Sequence, residues 1–89
     1  MKSFTTLKFR LCYASLPSHI QDLARKNYRL WLENKDHPSI QFKQVHPTKP
    51  IFSARVGMAY RALGVTQANE IIWFWIGSHN DYDKLLSQL

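Results

Sequence analysis

Six apolar residues run without a break from Ile71 to Ile76, between Glu70 and Gly77. β-Branched and aromatic residues fill the run, which favours a strand over a helix. It is far shorter than the ~20 residues of a membrane-spanning helix. Strict alternation would put Ile71, Trp73 and Trp75 on one face and Ile72, Phe74 and Ile76 on the other. Both faces are then apolar, as in a strand covered on both sides. Gly77 is expected to end it, and His79 lies just beyond.

A different period governs residues 16 to 31. Leu16, Ile20, Leu23, Ala24, Asn27, Tyr28 and Trp31 recur at helical spacing, with His19, Gln21, Asp22, Arg25, Lys26 and Arg29 on the other side. Ser15 is its expected cap and Pro17 sits in the first turn, where a missing N–H costs nothing. Asn34 and Pro38 bracket its end. Residues 3 to 13 fit two patterns: Leu7, Phe9, Leu11 and Tyr13 alternate, whereas Leu7, Leu11 and Ala14 share a helical face. A short strand to Thr5 or Thr6, then a helix capped by Thr6, reconciles them.

From Ser39 the texture turns to strands. Residues 39–45 alternate; HPTKP at 46–50 is a turn; 51–56 and 58–63 are strands; 64–69 is a turn. Residues 81–86 suit a last helical turn. Connections this short favour antiparallel neighbours. The expected fold is α+β: an N-terminal helical hairpin packed on a twisted, mostly antiparallel sheet of about four strands, one domain over residues 1–89.

Charge adds a functional constraint. Twelve Lys and Arg stand against six Asp and Glu, a formal charge of +6, which points to an anionic partner and above all to nucleic acid. No basic cluster flanks an amphipathic end, so a membrane surface is not expected. Cys12 is the single cysteine, which fits a reducing compartment. No signal-peptide pattern opens the chain, so a cytoplasmic location is expected. There is no CxxC, HxxxH or Walker loop, so neither a metal nor another cofactor is expected.

Period two places Arg55 opposite in facing to Phe52, Ala54 and Val56. Arg61 follows the turn near Gly57 and Met58, so a hairpin brings the two arginines to one surface. Neither strand carries a carboxylate. A guanidinium offers a planar fork of donors suited to phosphate. The same arginines would also fit a solvated strand face, or pairs with Asp81 or Asp83. Lys43, His46 and Lys49 form a second basic group that could contact a nucleic-acid backbone or simply face solvent. His79 and Tyr82 share a face if a helical turn begins there; Tyr82 equally fits the core.

SARVGMAYRALG followed by WFWIGSHNDYDKLL resembles the RelE/ParE superfamily of bacterial toxins from type II toxin–antitoxin pairs. LPSHIQDLARK is similar to its helical start and HPSIQFKQVH to the strand that follows. The likeness runs from about Phe4 to Leu86. It implies a cognate antitoxin that wraps and inhibits the chain. In the RelE branch it implies ribosome-dependent cleavage of mRNA without a metal. Carried over by position, Arg55 and Arg61 match the phosphate-holding arginines, and His79 and Tyr82 match C-terminal active-site positions. Lys43, His46 and Lys49 match basic RNA-binding residues more loosely. Attack by the RNA's own 2′-OH needs a base, a cation for the pentavalent phosphorane and an acid for the leaving 5′-oxygen. One departure stands out: some members carry a strand glutamate as base, and 51–56 and 58–63 have none, so a lysine, His46 or the ribosome would have to supply that role, or the activity differs. The ParE branch instead implies inhibition of DNA gyrase. A basic RNA-binding module without toxicity is the third class compatible with these residues.

Overall fold

The computed structural model describes all 89 residues. The chain runs β1 (Lys2–Thr5), α1 (Leu7–Ala14), α2 (Ser18–Glu33), β2 (Lys43–Gln44), β3 (Ile51–Val56), β4 (Tyr60–Gln67), β5 (Glu70–Ser78) and α3 (His79–Gln88). One five-stranded sheet has the order β1-β5-β4-β3-β2. Only β1 and β5 are parallel; the other neighbours are antiparallel. The fifth strand is β1, the short strand expected up to Thr5 or Thr6: it joins the sheet at the edge beside β5, and the helical hairpin carries the chain from there to β2 at the opposite edge.

Thr6 caps α1 as its sequence suggests, its hydroxyl accepting from the Phe9 N–H at 3.1 Å. Ser15 does not cap α2. It closes α1 instead, its hydroxyl donating to the Leu11 carbonyl at 3.1 Å. Pro17, expected in the first turn of α2, is its N-cap residue. Gln21 and Tyr13 then bind the two helices: the Gln21 amide donates to the Tyr13 carbonyl at 3.0 Å, and the Tyr13 hydroxyl donates to the Gln21 carbonyl at 3.3 Å. Of the apolar stripe on α2, Ile20, Ala24 and Trp31 are buried. Asn27, the polar member of that stripe, donates to the Arg55 carbonyl at 3.1 Å and so ties α2 to β3.

Apolar side chains fill both faces of β5, but strict alternation fails. Leu63 pairs with Trp75 and Gly64 with Trp73, so Phe74 is an extra residue in β5 and forms a bulge. The bulge shifts the facing of everything after it. Ile71, Trp73 and Ile76 therefore pack together beneath α2 with Ile20, Ala24 and Trp31. Trp75 lies on the opposite side with Ile51, Leu63 and Tyr82, and Phe74 packs there too. A sheet covered on both faces is thus built from α1 and α2 on one side and α3 on the other.

Strand limits also move. Gly64 belongs to β4, where a Cβ would come within 2.8 Å of Ile71 and 2.9 Å of Trp73. The turn expected over 64–69 shrinks to Ala68 and Asn69. Gly77 does not end β5, which continues to Ser78. The strand expected over 39–45 survives only as Lys43–Gln44: Ser39 and Ile40 belong to a turn closed by the Ile40 N–H donating to the His37 carbonyl at 3.0 Å, and Gln41 follows it with a left-handed φ of 49°. The last helical turn becomes a full helix, α3, capped by Ser78, whose hydroxyl accepts from the Asp81 N–H at 3.2 Å.

Candidate functional site

β3 and β4 place Arg55 and Arg61 directly opposite one another. Cross-strand partners share a face, and that face is the α3 side, because Leu63 lies two residues beyond Arg61 on the same strand. Arg61 in turn faces Gly77 of β5. Two residues later His79 opens α3, its backbone N–H donating to the Ala59 carbonyl at 2.7 Å. Tyr82, three residues on, comes back under the sheet. Its ring lies 5.7 Å from the Arg61 guanidinium carbon, 5.7 Å from the His79 ring and 6.5 Å from Trp75. Tyr82 is a buried member of the α3-side cluster, and its ring also lies beside His79 and under the Arg61 guanidinium.

Neither arginine meets an acid. The ion pair between fixed charges is Arg25–Asp22 on α2, and Asp83 on α3 lies beside His79 instead. Arg55 folds back over the turn, its Nε donating to the Gly57 carbonyl at 3.1 Å. Arg61 Nη2 donates to the Gln41 side-chain oxygen at 3.2 Å, and Nη1 is buried with no acceptor. Ser53 pairs with Lys43, which puts the Lys43 ammonium on this same face of the sheet.

His79 Nδ1 lies 3.3 Å from Asp83 Oδ2, one helical turn along. With Nδ1–H turned toward the carboxylate, Nε2 keeps its lone pair and can accept a proton. Asp83 is the residue that sequence reading placed elsewhere, as a possible partner for the arginines. Starting the last helix at His79 rather than Asp81 would have exposed its i,i+4 relation to the imidazole.

His46 lies at the far end of α3 from His79. Its Nδ1 accepts from the Thr48 and Lys49 N–H groups at 3.1 and 2.9 Å, and its Nε2 lies 3.0 Å from the Leu89 carbonyl. Accepting at Nδ1 puts the neutral ring's proton on Nε2, which donates to Leu89. The ring thus locks the 46–50 turn to the end of α3. Lys49 remains exposed on that turn. An apolar cavity of about 270 Å³ lies between the helical hairpin and the sheet, walled by Phe9, Tyr13, Tyr28, Trp31 and Trp73; Arg55 also lines it, whereas Arg61, His79 and Tyr82 do not.

A family model described as a ParE-like toxin domain matches residues 18–84, most of the chain. The chain belongs to the ParE-like toxin family. No curated protein matches it. Among solved structures, this toxin is similar to the RelB–RelE antitoxin–toxin complex from Methanococcus jannaschii at 14% identity, over 92% of this chain and 96% of that one, with a TM-score of 0.69. It is similar to a YoeB/ParE toxin from Agrobacterium tumefaciens at 12% identity, over 89% and 99%, TM-score 0.69. YafQ from E. coli strain BL21(DE3) matches at 12% identity, over 91% and 96%, TM-score 0.67. The toxin therefore has the fold of the RelE/ParE superfamily along nearly its whole length. No helix in it is long and apolar enough to cross a membrane.

Proposed function

We propose that this toxin is a metal-independent, ribosome-dependent mRNA interferase. The observation that carries the reading is the Arg55–Arg61 pair: two cations opposed on a rigid sheet with no acid on either. Like charges placed so are destabilising by themselves. A ribose–phosphate chain brings the anion that the pair lacks. Arg55 and Arg61 hold the scissile phosphate and stabilise its pentavalent state. His79 Nε2, set by Asp83, takes the proton of the 2′-OH. The 2′-oxygen bonds to phosphorus, the bond to the 5′-oxygen breaks, and a 2′,3′-cyclic phosphate remains. The leaving oxygen takes its proton from Tyr82 or Lys43, the remaining donors on this face. Lys49 steadies the neighbouring backbone from the turn that His46 holds. Dependence on the 2′-OH selects RNA over DNA.

The test is translation of a defined message on purified ribosomes, with the cut ends mapped. Cuts within codons, bearing 5′-hydroxyl ends, are expected from the native chain. His79→Ala should slow them by ~10²–10⁴-fold, the span of general acid–base catalysis. Asp83→Asn should slow them less, because the imidazole survives and only its tautomer is released. The ParE-like family match favours a second reading, inhibition of DNA gyrase. Intact message together with blocked supercoiling would replace the first reading by that one.

A cognate antitoxin completes the proposal. Trp73 and Trp75 are buried, so the aromatic run is not the exposed surface. Phe4, Leu7 and Leu11 are exposed instead, along the free edge of the sheet and the outer side of α1. Lys2, Lys8 and Arg10, also exposed, are interleaved with them. That mixture fits an amphipathic acidic segment of the antitoxin. Leu11→Asp should weaken neutralisation by roughly ten- to hundredfold, since burying a leucine contributes about 1.5–3 kcal/mol. Toxicity without the antitoxin should be unchanged. Full neutralisation of Leu11→Asp would place the antitoxin elsewhere.

A further inference from the structure

Gln41 is one of two non-glycine residues with a left-handed backbone, φ 49°. The other, Ala68, opens the two-residue turn between β4 and β5, where a positive φ is what a tight hairpin demands. Gln41 is in no hairpin; it follows the turn at 38–40, in which the Ile40 N–H donates to the His37 carbonyl at 3.0 Å. It stands between Ile40, which is buried, and Phe42, which stacks on Phe52 at 4.9 Å and edges against Trp31 at 5.6 Å. The Ile40 carbonyl accepts from the Arg55 N–H at 2.7 Å, so the segment is pinned to β3 just before the kink. The side chain then reaches past β3 to β4, where its oxygen takes the hydrogen bond from Arg61. Strained backbone kept by a well-packed surround is a mark of functional positions.

We infer that Gln41 is a positioning residue for Arg61, holding the guanidinium over Tyr82 with a partner that does not neutralise it. This rests on the reading of Arg61 as a phosphate-holding residue. A carboxylate at position 41 would aim the fork as well but would pair with its charge. An amide oxygen aims it and leaves the full positive charge for an incoming phosphate. With Nη1 buried and one Nη2 proton on Gln41, the second Nη2 proton and Nε–H make the edge offered to the ligand. An exposed polar residue in a left-handed conformation is thereby tied to the chemistry of a strand twenty residues away.

The experiment uses Gln41→Gly and Gln41→Glu in the full chain, with message cleavage on ribosomes and three further readouts. Thermal unfolding reports structure. Titration with a labelled single-stranded RNA oligonucleotide across salt concentrations reports charge. ¹⁵N relaxation of the Arg61 Nε–H reports the order of the guanidinium. Gln41→Gly removes the side chain and relieves the φ, so Tm should hold or rise while Arg61 becomes mobile and message cleavage falls by about tenfold or more, the scale of one charge-assisted hydrogen bond. Gln41→Glu should keep Arg61 ordered yet weaken RNA binding, with the slope of log K against log salt shallower by ~0.7, one phosphate contact on a single strand. Unchanged order of Arg61 in Gln41→Gly would overturn the inference. So would Gln41→Glu binding RNA with the native slope. If the native chain leaves message intact but Arg61 loosens in Gln41→Gly, the positioning role stands and the nuclease reading alone fails.

Discussion

Arg61→Ala is expected to lower message cleavage by ~10²–10³-fold, the usual loss when a group facing developing negative charge is removed. The slope of RNA binding against salt should drop by ~0.7 as one phosphate contact disappears. Arg61→Met isolates the cause. Its stem can still lie on the Tyr82 ring, but the charge and the donors are gone. The native arrangement carries two liabilities here: like charges opposed across β3 and β4, and a buried Nη1 without an acceptor. Removing both liabilities offsets the loss of the Tyr82 cation–π contact and the Gln41 hydrogen bond, so the midpoint should change little. A protein of native stability that no longer cuts is the signature of a residue kept for function. A less stable one that still cuts would make Arg61 a structural arginine.

The parts of the fold that local chemistry decides were legible in the chain. Thr6 as a cap, the helical period of 16–31 and the turn at 46–50 need only neighbours in sequence to be read. What was hidden depended on distant contacts. The bulge at Phe74 exists because Trp75 must reach the α3 side while Ile76 returns to the α2 side. In the one-dimensional pattern, six apolar residues in a row look alike on either face. Gly64 reads as a turn glycine until Ile71 and Trp73 are seen to need its empty side. The 39–45 strand was lost to a turn at 38–40 and the left-handed residue that follows it, which no propensity of glutamine announces.

The same division holds for the site. Period two and a short hairpin were enough to bring Arg55 and Arg61 to one surface, and the register places them opposite. That they lack acidic partners followed from the composition of their strands, but Asp81 and Asp83 could be excluded only once Asp83 was seen beside His79. Tyr82 was ambiguous because burial and function looked like competing roles. One position meets the geometry of both: the ring is buried on its Trp75 side and lies 5.7 Å from the Arg61 guanidinium carbon. Gln41 had no sequence signal at all. Its part depends on a hydrogen bond spanning twenty residues and an unusual φ.

Gly77→Ala should destabilise the protein and damage the site together, and Gly64→Ala separates the two effects. At Gly77 an added Cβ would lie 2.6 Å from Trp75 Cζ2 and 3.0 Å from Cη2. Trp75 is buried against Ile51, Leu63 and Tyr82, so its ring has no free direction in which to retreat. Overpacking of this kind costs about 1–3 kcal/mol. At ~4–8 °C per kcal/mol for a domain of this size, the midpoint should fall by roughly 4–24 °C. Whatever movement relieves the clash pushes Trp75 toward Tyr82, and Tyr82 carries Arg61. RNA binding should therefore weaken even well below the unfolding midpoint. Gly64→Ala meets Ile71 and Trp73 at comparably short distances, but on the α2 side of the sheet. It should lose similar stability and leave RNA binding at low temperature intact. Calorimetry and RNA titration on the two variants give the comparison. Equal loss of binding in both would mean that the sheet transmits strain through its backbone, and that Trp75 and Tyr82 are not the route by which packing reaches Arg61.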